Sequence, residues 1–154
     1  MPIAAVLGGV IDFAIAFVIL LLMMLYFGIV PGFAIVTLPA FIVLAIITAL
    51  AVGLWLSALN VKYRDVRYTI NFLVQFWLFA TPVAYPSSLI PEQWRWLYGL
   101  NPMAGVVEGF RWALLGKTDP PGALLAVSIA VVVLLLIGGL YYFRKMEQEF
   151  ADVV

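Results

Sequence analysis

The chain contains no cysteine and no histidine. Disulfides, thiolate nucleophiles, imidazole bases and the usual zinc and haem ligands are excluded together, and with them most catalytic chemistry. Charge is almost as scarce. Asp, Glu, Lys and Arg make up 10% of the 154 residues, where a soluble domain carries about 25%. Eight basic and eight acidic residues cancel, so no polycationic surface exists for nucleic acid. The amino end, Met-Pro-Ile-Ala-Ala-Val, lacks the basic start of a secretory signal, and the first apolar stretch is expected to stay in the mature protein. What remains is apolar: 66% hydrophobic residues, 15% aromatic, and a mean hydropathy of +1.17. Such a chain belongs in a bilayer, and the expected fold class is all-α integral membrane.

Residues 13–61 carry no charge. As one helix they would reach about 74 Å at ~1.5 Å per residue, against a hydrocarbon core about 30 Å thick. The stretch must therefore fold back, and Gly28-Ile29-Val30-Pro31-Gly32 marks the turn. This predicts a helical hairpin with spans near 11–27 and 33–59. A third uncharged stretch follows, in which Pro82 and Pro86 are expected to end a span over 68–84. The fourth span, 122–143, is introduced by Asp119-Pro120-Pro121 and closes on Tyr141-Tyr142-Phe143 before Arg144 and Lys145. Four spans put both termini on one side. Lys62, Arg64 and Arg67 crowd the short loop after the second span, and Arg144 and Lys145 follow the fourth, so both sets are expected in the cytoplasm. Arg95, Arg111 and Lys117 are spread over a longer, acid-balanced segment on the other face.

Ala45, Ala49, Gly53 and Ser57 recur at every fourth position of the second span, as do Gly122, Ala126 and Ala130 in the fourth. Small residues on one stripe let backbones approach, and both stripes are expected to face protein. In the third span Asn71, Gln75 and Pro82 fall together beside a stripe of Phe72, Phe76 and Phe79. Two readings stay open there: amides bonding across helices with the rings toward lipid, or a pathway wall where amides and aromatic faces meet a hydroxyl-bearing cargo.

The segment 86–121 is too charged to cross a bilayer and too aromatic for an ordinary loop. Its punctuation predicts one short helix over 91–98 closed by Gly99, and a second capped by Asn101, opened by Pro102 and ended at Leu115 by Gly116. The second helix reaches about 21 Å at ~1.5 Å per residue, too short to cross, so 86–116 is expected to be a re-entrant pair on the extracytoplasmic side. A plain interfacial anchor built from Trp94, Trp96, Tyr98, Phe110 and Trp112 is the alternative. Gly105 and Gly109 permit a close contact, and Glu108 can pair with Arg111 one turn on. Asp12 reads as a helix N-terminal acid. Gly116-Lys117-Thr118 resembles the end of a nucleotide-binding loop, but Arg111 occupies the required first position and no strand precedes it.

Four motifs stand in order along the chain: Leu59-Asn60-Val61-Lys62-Tyr63-Arg64-Asp65-Val66-Arg67, Thr81-Pro82-Val83-Ala84-Tyr85-Pro86, Leu100-Asn101-Pro102-Met103 and Glu108-Gly109-Phe110-Arg111. Together the set resembles the type-2 ATP-binding-cassette exporter permeases, in the branch that exports lipid-linked polysaccharides such as O-antigen, capsule or teichoic acid. The resemblance implies a permease that dimerises, pairs with a separate nucleotide-binding ATPase subunit and moves a lipid-linked glycan outward through the cytoplasmic membrane. ATP and Mg would belong to that partner, with no cofactor on this chain. It implies further that Lys62, Tyr63, Arg64, Asp65 and Arg67 face the ATPase side and that 86–116 forms the outer mouth. Family members are usually longer, with an amphipathic helix, two more spans and a coupling helix ahead of the matching region, so this chain is expected to correspond to their carboxy-terminal portion.

On that reading Phe72, Phe76, Phe79, Trp94, Trp96, Tyr98, Phe110 and Trp112 lie along the glycan path, and Glu108 with Arg111 steadies the outer gate. Two competing readings are a non-transporting membrane scaffold, or truncated permease remnant, and an intramembrane enzyme acting on polyprenyl lipids. The enzyme is disfavoured because no paired acids, metal cluster or base–nucleophile set shares a face.

Overall fold

The computed structural model describes residues 2–63, 66–81, 83, 85, 89–116 and 120–151, with the side chains of all but 2–5, 61, 62, 66–68, 71, 92, 95, 96 and 147–151. Every regular element among them is helical: α1 (Pro2–Tyr26), a 3-10 turn (Phe33–Thr37), α2 (Leu38–Lys62), α3 (Val66–Ala80), α4 (Glu92–Gly99), α5 (Pro102–Leu115) and α6 (Gly122–Ala151).

The hairpin turn follows from one glycine. Gly28 takes φ +66°, a conformation that costs a Cβ-bearing residue strain, and there the Ile29 N–H reaches back to Met24 O at 2.9 Å and the Gly28 N–H to Leu25 O at 3.1 Å. Ile29 then packs on the cluster that holds Met24. Pro39, in the first turn of α2, needs no donor at that position.

Among the described residues, three segments are long and apolar enough to cross a membrane: Val6–Tyr26, Phe33–Asn60 and Gly122–Met146. The third expected span is shorter than the sequence suggests. α3 has 15 residues, about 22 Å at ~1.5 Å per residue and below the roughly 20 residues of a full crossing.

α2 and α6 form the main contact and run parallel. Near their starts Leu38 and Leu125 share one apolar cluster with Met24, Phe41, Ala113 and Leu114. Toward their ends Trp55 stacks on Tyr142 with centroids 5.3 Å apart and donates from its indole to Leu135 O at 2.9 Å. Residues 62 and 122 therefore sit at opposite ends of the bundle. The contact face differs from the expected stripes. α2 buries Phe41, Thr48, Ala51 and Ala58, while Ala45, Ala49, Gly53 and Ser57 line an open apolar groove of about 540 Å³ facing α1. On α6, Ser128 and Val132 are buried, and Gly122, Ala126 and Ala130 are exposed. The small residues that do permit close approach are Gly138 and Gly139, against Trp55. The outer faces of α1 are open, with Leu7, Ile11, Ile15 and Leu22 exposed, as suits a helix whose solvent is lipid.

Candidate functional site

α5 is the centre of the molecule. Pro102, Ala104, Gly105, Val106, Glu108, Gly109, Ala113 and Leu114 are all buried on it. It is cushioned by two glycines that serve different neighbours. A Cβ on Gly105 would lie 2.7 Å from the Ser128 side chain of α6, and one on Gly109 would collide with the Phe41 ring of α2. The helix thus wedges between the parallel pair. Phe110 adds a ring cluster with Phe13 at 5.7 Å, Phe17 at 6.5 Å and Phe41 at 6.3 Å.

Both ends of α5 are closed by local chemistry. Asn101 accepts the Met103 N–H at 3.0 Å as the N-cap, and Gly116 ends the helix at φ +60° with its N–H on Trp112 O. The Gly105 N–H turns instead to Ser128 Oγ at 3.1 Å. Ser128, fully buried, shares its single O–H between the carbonyls of Gly99 at 3.2 Å and Asn101 at 3.4 Å. A hydroxyl on α6 therefore caps the joint between α4 and α5, the elbow. That joint lies beside Ser128, about 9 Å along α6 from its first residue at ~1.5 Å per residue.

A second polar set surrounds the link after α3. Asn101 Nδ2 donates to Ala80 O at 3.1 Å and to Thr81 Oγ1 at 2.9 Å. The Tyr85 hydroxyl donates to Phe79 O at 3.1 Å and receives the Tyr98 hydroxyl at 2.9 Å. Arg111 pairs with Glu108 one turn before it and directs Nη2 toward the carbonyls of Val83 and Tyr85, each at 3.5 Å.

The structure divides the expected path residues into groups. Phe72, Phe76 and Phe79 are exposed along α3, and Trp94 is exposed on α4. Tyr98 is engaged with Tyr85, whereas Phe110 and Trp112 pack on the core cluster away from the α3 face. Glu108 and Arg111 do come together. Tyr63 is exposed after α2; Arg64 and Asp65, and the side chains of Lys62, Arg67 and Trp96, lie outside the described residues. Sequence reasoning missed Ser128 and the partners of Asn101. A hydroxyl in the otherwise apolar run Ala126-Val127-Ser128-Ile129 was the available signal, since such a group needs a partner in lipid. No group of acids able to hold a metal occurs among the described residues.

Comparison with known proteins covers the elbow and the helices around it. The chain is 27% identical to the O-antigen export system permease protein RfbA of Myxococcus xanthus over 156 aligned residues, spanning 100% of this chain and 60% of that protein. It is 23% identical to RfbA of Klebsiella pneumoniae over 154 residues, 99% of this chain and 59% of the relative. A shorter likeness, 31% over 68 residues, joins 44% of this chain to 5% of pleiotropic drug resistance protein 2 of Nicotiana plumbaginifolia. The chain thus spans about 60% of the length of the two RfbA relatives. The family model described as ABC-2 type transporter matches residues 2–115, from the start of α1 to the end of α5, and the chain belongs to that family.

Proposed function

We propose that this chain is the transmembrane permease part of an ATP-driven exporter that carries lipid-linked polysaccharide outward across the cytoplasmic membrane. The observation that carries the reading is the reach of the RfbA likeness, which runs over the whole chain, elbow included. ATP hydrolysis belongs to a separate subunit docked near residues 62–67, and a second permease copy completes the pathway.

The geometry supports the reading in one specific way. α3 alone is about 22 Å long, and the elbow reaches about 9 Å inward beside α6 to meet its end, at ~1.5 Å per residue. The two lengths sum to about 31 Å, close to the ~30 Å of a hydrocarbon core. α3 and the elbow then cross the bilayer jointly, the elbow entering from the outside and returning. Non-helical backbone at such depth must be enclosed, and the joint at Gly99–Asn101 is covered by Ser128 and Val127 of α6. The exposed Phe72, Phe76 and Phe79 offer ring faces on which sugars stack without a fixed grip. Glu108 and Arg111 hold the link after α3 against α5 as the outer gate.

The test is coexpression of the complete permease with its ATPase subunit in a strain lacking O-antigen export, with surface glycan as the readout. Surface glycan should return, and should be lost on replacing all three of Phe72, Phe76 and Phe79 with Ala while the protein still inserts. Restored export that ignores the triple replacement would remove α3 from the path; no export with any ATPase subunit would overturn the permease reading.

A further inference from the structure

The end of α3 and the tip of the elbow meet at one side chain. A carboxamide has two N–H donors, and Asn101 directs its Nδ2 to Ala80 O, the last residue of α3, and to Thr81 Oγ1, which is itself buried. Its Oδ1 is occupied by the Met103 N–H in the first turn of α5. Its backbone carbonyl lies near Ser128 Oγ. Three helices are therefore joined at Asn101 by separable groups. The amide nitrogen holds α3, the amide oxygen holds α5, and the main chain holds α6.

Among the described residues, α3 is otherwise thinly held. Phe72, Val74, Phe76, Leu78 and Phe79 are exposed around its circumference, and its helix packing is slight and directed to α2. Apart from Asn101, the described routes from α3 to the elbow are the hydroxyl relay from Tyr98 through Tyr85 to Phe79 O and the reach of Arg111 Nη2 to the carbonyls of Val83 and Tyr85 in the link beyond α3. By contrast the elbow is fixed to α6 over several residues, with Gly99 and Gly105 both in close contact with it.

We infer that Asn101 is a positioning residue that transmits movement of α3 to the elbow. The inference rests on the permease reading, in which α3 starts next to the ATPase-facing loop and so is the helix through which a nucleotide-driven tilt would arrive. The alternative, that Asn101 is merely a helix cap, predicts something different. Ser and Asp cap as well as Asn but cannot supply the two donors that reach α3.

These 154 residues contain no cysteine, so paired labels can be placed in them, within the complete permease and its ATPase subunit in lipid nanodiscs, once any cysteine elsewhere in the complex is replaced. Leu78→Cys with Leu100→Cys reports the distance from α3 to the elbow, and Leu100→Cys with Ile129→Cys that from the elbow to α6; all three positions are exposed. Asn101→Ser and Asn101→Asp should each broaden the first distance and leave the second unchanged, and Ser128→Ala should do the reverse. With Asn101→Ser, glycan exported per ATP hydrolysed should fall about tenfold, the order expected for losing the two part-buried amide hydrogen bonds to α3. Adding Tyr85→Phe should deepen the loss by cutting the second route. An unchanged first distance in both Asn101 variants would overturn the inference, as would a broadened distance with full export per ATP. A wild-type complex that carries no glycan would instead overturn the permease reading, and the two label distances would still decide whether Asn101 holds α3.

Discussion

α3 and α5 are nearly equal in length, 15 and 14 residues, and both fall short of a bilayer, yet they live in opposite surroundings. α5 is wedged between α2 and α6, with two glycines against neighbouring side chains, caps at both ends and an internal ion pair. α3 presents aromatic and aliphatic side chains to its surroundings, and its described side-chain anchoring lies at its carboxy-terminal end. Burial encloses one helix in the protein and leaves the described faces of the other open. A transporter needs both, because a moving element does work only against one that stays still.

Three substitutions sharpen this contrast. The largest expected effect is at the polar centre of α5, where Glu108 is 8% and Arg111 17% exposed in their side chains. Glu108→Ala removes the carboxylate that neutralises a guanidinium largely shielded from water, and thermal unfolding in detergent should show a loss of about 3 kcal/mol. Glu108→Gln, which keeps an acceptor, should lose less. Next comes Gly109→Ala, whose new methyl collides with the buried Phe41 ring; overpacking of this kind costs about 1–3 kcal/mol, and Phe41→Leu in the same chain should recover most of it. The smallest effect belongs to α3. Phe76→Ala removes a side chain 59% exposed and should change stability by no more than about 0.5 kcal/mol in the same measurement. A loss at Phe76 equal to that at Gly109 would erase the distinction between the two helices.

Much of the helix punctuation was legible because its causes are local. Asn101 before Pro102, Gly116 after Leu115 and Gly28 in the hairpin each act within a few residues of their own position, and each ends or starts a helix as expected. The Glu108–Arg111 pair is likewise set by one helical turn. Packing partners were not legible. Ala45, Ala49, Gly53 and Ser57 make a smooth stripe, but smoothness only permits contact, and α6 instead meets the face bearing Thr48, Ala51 and Ala58, where Trp55 can reach Tyr142 and the carbonyl of Leu135. The expected aromatic path divides for a similar reason: Phe110 finds Phe13 and Phe17 on α1 and Phe41 on α2, two distant parts of the sequence. Ser128 and Asn101 meet across 27 residues, a distance at which residue type says that a partner exists but not which one.

The central claim is that α3 and the elbow jointly cross the bilayer, so that the loop after α2 and the segment after α5 open on opposite sides. Single cysteines at Tyr63 and Lys117, introduced into the cysteine-free chain and challenged in intact cells with a membrane-impermeant maleimide, test it directly. Lys117→Cys should label from outside, and Tyr63→Cys only after the membrane is opened. Labelling of both from the same side would contradict the joint crossing and the outward pathway built on it.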